Sequence, residues 1–202
     1  MIQFETFTGG ALDTNAFLLD APAGKILIDA PQGADAHFAN AAIHTLLLTH
    51  GHFDHTADAE AIRARHGCAV HCHPDTLPMI TDRDFFRTWG FGLEVEPVAH
   101  PQTITATAAA SFAGLTFRVL EVPGHCPGSL CLVEDSGELF GGDVLFQGGV
   151  GRADLPGGDP ELLLSGIRAK ILTLPDATRV LPGHGPQTTV GTERATNPWL
   201  QV

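Results

Sequence analysis

Seven consecutive residues constrain this chain more than any other feature. Thr49-His50-Gly51-His52-Phe53-Asp54-His55 follows directly on the apolar run Leu46-Leu47-Leu48. Such a run reads as a buried strand, so three imidazoles and a carboxylate are delivered to a strand end at the core of the fold. Side chains alternate along an extended segment, which puts His50 and His52 on one side. Asp54 and His55 fall where the chain turns into a helix. Two imidazoles can then meet one cation while the carboxylate and the third imidazole reach a second. Composition alone predicts about 0.002 chance occurrences of H-x-H-x-D-H, even in a chain this rich in histidine. A chance cluster of surface histidines is therefore set aside.

Three later segments repeat the layout of a strand followed by a tight turn. His125 lies in Val122-Pro123-Gly124-His125-Cys126-Pro127-Gly128, Asp143 follows Phe140-Gly141-Gly142, and His184 lies in Leu181-Pro182-Gly183-His184-Gly185. Four strand-end loops carrying His or Asp can converge on one rim. Five histidines and two carboxylates suit two borderline cations such as zinc, and would also accept iron or manganese. The remaining histidines (His37, His44, His66, His71, His73 and His100) read as ordinary polar positions. His71-Cys72-His73 is not needed to complete the set, and His73 is a candidate for the site entrance.

Elsewhere short apolar segments alternate with turn signals. Helical patterns run over Asp35 to Ile43, Thr56 to His66, part of Pro74 to Leu93, and Pro160 to Leu172. Gly67 is a natural helix stop. Strands mixed with helices on this scale imply an α/β layered domain. At 202 residues, with a prior of roughly 150 residues per domain, a single domain spanning residues 1–202 is expected. Lys and Arg total 11 against 23 Asp and Glu, a net charge of −12. That is a poor surface for tracking a phosphate backbone, so no nucleic-acid partner is expected. No apolar run approaches the ~18 residues of a membrane span, so none is expected with a membrane either. Met1 to Thr8 has no basic leader region, and the four cysteines form no C-x-x-C pair. A cytoplasmic protein with free thiols is the expectation.

In order and spacing, over nearly the whole chain, these motifs resemble the metallo-β-lactamase superfamily. Two stretches look like glyoxalase II-type thioester hydrolases of the short bacterial form. One holds Gly-Gly-Asp143-Val-Leu-Phe and Gly151-Arg152-x-Asp154-Leu-Pro-Gly-Gly-Asp159. The other runs from Leu-Pro-Gly-His184-Gly-Pro through Glu193-Arg194 to Asn197-Pro198. The resemblance implies an αββα sandwich with metals at one edge of the two sheets. It implies one metal on His50, His52 and His125, a second on Asp54, His55 and His184, and Asp143 bridging them. Asp29 matches an acidic family position near the site, where it would accept a hydrogen bond from a ligand histidine. Arg152 stands where the family places a basic residue near glutathione, whereas Asp154 replaces a Tyr usual in glutathione-specific enzymes. The chain ends soon after Asn197-Pro198-Trp199, so the C-terminal helical domain that contributes to glutathione binding in longer relatives is not expected.

The implied reaction is metal-dependent thioester hydrolysis, with S-lactoylglutathione or a related small acyl-thiol as substrate. Two cations, zinc by preference, would lower the pKa of a shared water so that a bridging hydroxide attacks, and would stabilise the oxyanion as it forms. Asp54 is the candidate catalytic residue, holding the water and accepting its proton. Cys126 is not a nucleophile in this scheme. The rival on the same fold is a persulfide dioxygenase with one iron on His50, His125 and Asp143. The Gly151 to Asp154 segment suits either, while the Leu181 to Pro186 turn looks more like the hydrolases. The charge weighs against a phosphodiesterase or ribonuclease, and the lack of an export signal weighs against β-lactam hydrolysis.

Overall fold

Apolar side chains recur on both faces of the central strands, and a sheet of that kind needs cover on two sides. The computed structural model, which describes residues 2–90 and 92–201, supplies it with two six-stranded sheets packed face to face. The first takes β1 (Phe4–Gly9), β2 (Thr14–Ala21), β3 (Gly24–Ile28), β4 (Ile43–Leu47), β5 (Ala69–Cys72) and β6 (Gln102–Thr103) in sequence order. The second holds β7 (Thr107–Phe112), β8 (Leu115–Glu121), β9 (Leu130–Glu134) and β10 (Glu138–Gly142). A two-stranded ribbon, β11 (Leu145–Phe146) and β12 (Gly149–Val150), leads on toward β13 (Arg179–Pro182) and β14 (Thr188–Thr189), which complete the second sheet.

Period-two alternation divides the strand residues among three cores. Phe17, Leu19, Ile26, Ile28 and Leu47 meet Phe117, Val119, Leu132, Phe140 and Leu181 between the sheets. Their neighbours Ala16, Leu18, Leu27 and Leu46 face outward, under α1 (Ala34–His37), α3 (Ala59–His66) and α4 (Leu77–Thr81). Cys131, Leu139 and Val180 likewise face α5 (Pro160–Gly166), its π-helical continuation Ile167–Ile171, and α6 (Val190–Thr196). Each fully buried Leu, Ile or Phe contributes about 1.5–3 kcal/mol of transfer free energy. The result is the four-layer αββα sandwich.

The helices depart from their sequence patterns in three places. The segment from Asp35 to Ile43 is helical only to His37: Ala42 takes a left-handed φ of 53° and Ile43 already opens β4. Pairing of Ile43 with Lys25 in the sheet outweighs its local helical periodicity. The helix expected over Thr56 to His66 is two helices, α2 (Phe53–Thr56) and α3. At the break, Asp58 accepts from the backbone amides of Gly33 and Asp35 and so ties α1 to α3. The segment from Pro160 continues as a π-helix from Ile167. Gly67 closes α3 with a φ of 64°. In the Pro74 to Leu93 stretch, Phe91 lies outside the described residues. Among the described residues, no helix is long and apolar enough to cross a membrane.

Strand direction brings one edge of both sheets together. β3 and β4 are parallel, with Ile28 opposite Leu47, so Asp29 and the 49–55 segment emerge side by side. β10 and β13 are also parallel, with Gly142 opposite Pro182, which sets Asp143 beside Gly183 and His184. β8 runs in the same direction as β10 through the intervening antiparallel β9, so His125 comes out at this edge too. Two backbone links across the gap lock the sheets in register: Asn15 N to Gly183 O and Leu130 N to Thr49 O, both 2.7 Å.

Candidate metal centre

Seven side chains meet at that edge. His50 Nε2 lies 3.2 Å from both His52 Nδ1 and His125 Nε2. His55 Nε2 lies 3.2 Å from Asp143 Oδ1 and 3.5 Å from Asp54 Oδ2. His184 Nε2 lies 3.2 Å from Asp54 Oδ2 and 3.3 Å from Asp143 Oδ2. Three sets have all their donor atoms within 4.8 Å of one another: His50, His52 and His125; His50, His55 and Asp143; Asp54, His55 and His184. Asp143 thus lies between two clusters, reaching His125 Nε2 at 3.5 Å and the His55 and His184 rings on the other side.

Hydrogen bonds behind the rings fix which nitrogen faces inward. His125 Nδ1 donates to Arg152 O at 2.7 Å and His184 Nδ1 to Leu12 O at 2.9 Å. His55 Nδ1 donates to Asp29 Oδ2 at 2.8 Å. Thr49 Oγ1 gives its proton to Asp29 Oδ2 and lies 3.1 Å from His50 Nδ1, from which it can therefore accept. Neutral His50 and His125 then point bare Nε2 lone pairs at each other across 3.2 Å. Two lone pairs so close repel each other unless a cation lies between them. His52 Nε2, His55 Nε2 and Asp143 Oδ1 are buried without hydrogen-bond partners. The last two lie near each other but out of hydrogen-bonding line. Unpartnered buried polar atoms are costly, and the donors here fit a divalent metal site.

The electrostatics agree with that fit. Burial, followed by the neighbouring imidazoles, pushes His52 down to about 3 and His50 well below the ordinary histidine value. Burial likewise lowers His125. These rings stay neutral, as metal-ligating imidazoles must. Burial would raise Asp54, but His184 and His55 outweigh it and hold that carboxyl at about 2. Asp143 is held well below the carboxylate range, because His55 and His184 outweigh its burial. Burial pulls His184 down, yet Asp143 and Asp54 keep it at about 10. His55 is raised in the same way, by Asp143 and Asp29 against burial. The protons on His55 and His184 thus face the same carboxylates a cation would, and metal binding would displace them.

Local sequence explains the positioning. Gly51 lets the motif pass against Met79, whose Cβ and Sδ would lie 2.8 and 2.6 Å from any added Cβ. Gly183 is needed for space, since a Cβ there would run into Asp143 Oδ1 and the His55 ring. Asp29, only 2% exposed and at a left-handed φ of 60°, accepts from Thr49 N, Thr49 Oγ1 and His55 Nδ1. Thr14 and Thr49 are the contributors that sequence reasoning missed. Thr14 Oγ1 donates to Asp54 Oδ2 at 2.8 Å, and Thr14 pairs with His184 in an isolated bridge between the sheets. A buried Thr at the start of an apolar strand carries no signal that sets it apart. Thr49 offered only its position beside the first motif histidine. His71 packs edge-on to Phe112 and His73 sits beside Glu121, both outside the cluster. Cys126 is fully buried and its thiol is pushed up to about 12 by that burial.

The cluster forms the floor of a cavity of about 720 Å³. Its walls are mainly apolar: Phe53 from α2, Phe86, Trp89 and Leu93 from one side, Phe146, Val150 and Leu155 from the other. Trp89 meets His52 edge to face at 5.8 Å. Arg152 also lines the cavity, with both guanidinium contacts, at 2.8 Å, going to Asp154.

Residues 9–184 match the metallo-beta-lactamase superfamily. Hydroxyacylglutathione hydrolase GloC of Haemophilus influenzae is 35% identical over 78% of this chain and 76% of its own. The solved structure of the BLEG-1 B3 metallo-beta-lactamase superposes with a TM-score of 0.91 at 34% identity, covering 99% of this chain and 100% of that one. TTHA1623, solved in a di-iron-bound form, superposes with a TM-score of 0.84 at 37% identity, covering 97% and 100%. The chain belongs to the metallo-beta-lactamase superfamily and has the make-up of a metal-dependent hydrolase.

Proposed function

We propose that this protein hydrolyses thioesters of small acyl-thiols in the cytoplasm, without nucleic-acid or membrane partners. In this reading His50, His52 and His125 would hold one divalent cation and Asp54, His55 and His184 a second, with Asp143 placed between the two groups of donors. The observation that carries it is the meeting of bare imidazole nitrogens and ionised carboxylates at the floor of an apolar cavity. Zinc is the proposed metal, and the same donors suit iron, the metal in TTHA1623.

Divalent cations at such a site acidify a water and polarise a substrate carbonyl. The chain supplies the rest. Thr14, His55 and His184 all meet Asp54 at Oδ2, so Oδ1 is the oxygen assigned to take the water's proton. Water oxygen bonds to the acyl carbon, the carbon–sulfur bond breaks, and sulfur leaves with the bonding pair. A thiolate is a stable leaving group near neutral pH, since an ordinary thiol has a pKa of about 8.5. No strong general acid is required. The apolar walls lower the polarity around the floor and so strengthen the charge interactions there. The likeness to GloC, a hydroxyacylglutathione hydrolase, supports the choice of thioester.

The test is the anaerobic rate of S-lactoylglutathione loss by protein of known metal content, with and without a strong chelator. Chelator-sensitive turnover is the expected result. No turnover by fully loaded protein would overturn the thioester reading. Oxygen uptake on glutathione persulfide would then favour the dioxygenase, with one iron on His50, His125 and Asp143. A second hydrolytic reading, β-lactam opening, is favoured by the likeness to BLEG-1, and a β-lactam assayed in parallel would reveal it.

A further inference from the structure

Two features of the cavity have no part in the metal centre. The first is its rim. Among the described residues four large apolar side chains are exposed, and two of them, Leu12 at 53% and Leu93 at 36%, lie on this cavity. Exposed apolar side chains that gather around one opening mark a surface that receives an apolar ligand. They lie on the same cavity as the wall residues Phe53, Trp89 and Phe146, so apolar side chains line it at the exposed rim as well as further in.

The second is charge. Among the described residues lining the cavity, Arg152 is the one arginine or lysine. Both its contacts go to the carboxylate of Asp154, at 2.8 Å each, in the planar fork geometry that suits a carboxylate. A glutathione conjugate brings two carboxylates of its own, and each must compete with Asp154 for the same guanidinium. Among the described residues the wall holds no second arginine or lysine to receive an anion, and the chain as a whole carries −12.

From these two features we infer that the cavity selects thioesters with an apolar, uncharged arm, and that Asp154 sets this preference by neutralising Arg152. The inference rests on the thioester reading and narrows it, away from glutathione and toward acyl groups on neutral carriers. Leu12, Trp89 and Leu93 bind the arm, and Asp154 acts as a positioning residue through Arg152.

Two thioethers with the same hexyl chain provide a binding test that needs no turnover: S-hexyl-N-acetylcysteamine, which is uncharged, and S-hexylglutathione. Calorimetric titration of the metal-loaded protein should show the neutral compound binding at least about tenfold more tightly, the scale set by one or two well-placed apolar contacts. Asp154→Asn should tighten S-hexylglutathione by up to about fivefold, the upper end for an exposed ion pair, and leave the neutral compound unchanged. Leu93→Ser, on the exposed rim where folding is safe, should weaken the neutral compound and not the charged one. Trp89→Ala should do the same more strongly. In kinetics, kcat/KM for one acyl group on the two thiols should follow the same order, with the split in KM. Equal or tighter binding of S-hexylglutathione, or an Asp154→Asn variant that shifts neither ligand, overturns the inference. If neither thioester is turned over, the thioester reading falls, while the thioether titration still decides what the cavity selects.

Discussion

Replacing Asp29 with Asn changes one atom and should disable one metal site. Asp29 accepts three hydrogen bonds at 2.8 Å, from Thr49 N, Thr49 Oγ1 and His55 Nδ1. Its left-handed backbone, φ 60°, is one that Asn tolerates, so the chain path survives. If the Asn carbonyl keeps the Thr49 amide, its NH2 group must face His55 Nδ1 and Thr49 Oγ1. Donor then faces donor, and His55 relieves the conflict by giving up the proton on Nδ1 and keeping the one on Nε2. That nitrogen lies 3.2 Å from Asp143 and 3.5 Å from Asp54, and a proton there blocks ligation. Loss of such an outer partner typically lowers metal affinity roughly 10–100-fold, about 1.4–2.8 kcal/mol. In the metal-free protein, two charge-assisted hydrogen bonds become neutral or are lost, which costs about 2 kcal/mol. The assay is zinc titration of metal-free protein against a competing chelator, with stoichiometry read for each equivalent. Asp29→Asn should weaken one equivalent more than the other, because His52 and His125 are untouched. Wild-type affinity for both equivalents would refute the account of how His55 is held.

Three further outcomes follow from particular contacts. Gly183→Ala puts a Cβ against Asp143 Oδ1 and the His55 ring, so metal content should fall to one equivalent or less while far-UV circular dichroism stays native; full loading would show that the turn yields freely. Buried Glu138 is raised by burial, but the bonds from Ser136 and Arg179 outweigh that and leave it below the ordinary glutamate value. A group depressed on folding stabilises fully above its unfolded pKa and loses that contribution as pH falls through the folded value. Arg179→Ala should therefore cost about 1–3 kcal/mol in urea unfolding at pH 7, and visibly less below pH 4; an equal cost at both pH values would count against it. All four cysteines are buried and free, and burial pushes Cys72, Cys126 and Cys131 up to about 12. Ellman's reagent at pH 8 should thus label none quickly in the native protein and four after denaturation. Rapid labelling of the native protein would contradict the burial.

Much of the layering was legible because strand periodicity is local. Phe17 against Leu18, Ile26 against Leu27 and Leu139 against Phe140 each divide between two cores, and the alternation is written in adjacent residues. The pattern over Asp35 to Ile43 misleads for the opposite reason. Its apolar spacing is helical, but Ile43 is claimed by a parallel partner strand from a different part of the chain. Ribbon β11–β12 and helix α6 had too few residues for any periodicity to appear. Thr14 was invisible, because its bond to Asp54 joins residues 40 apart in sequence.

For the site, the division is between chemistry and placement. The sequence by itself determined the donor inventory: His50, His52, Asp54 and His55 are neighbours in one short segment, and their types and spacing suit cations whatever surrounds them. His125, Asp143 and His184 could be suspected from their strand-end turns, but nothing local puts them within 4 Å of that segment. Only the tertiary structure decided that, since the parallel pairs β3–β4 and β10–β13 send their ends to the same edge, and backbone bonds at Asn15 and Thr49 hold the two sheets together there. The tertiary structure also decided which nitrogen each imidazole turns inward, through Asp29, Leu12 O and Arg152 O. It set the apolar walls above the floor as well, by bringing Phe86, Trp89 and Leu93 to the same cavity as Phe146, Val150 and Leu155. Donor chemistry belongs to single residues and can be read one at a time. Convergence and tautomer depend on partners far away in the chain, which only the folded backbone brings into reach.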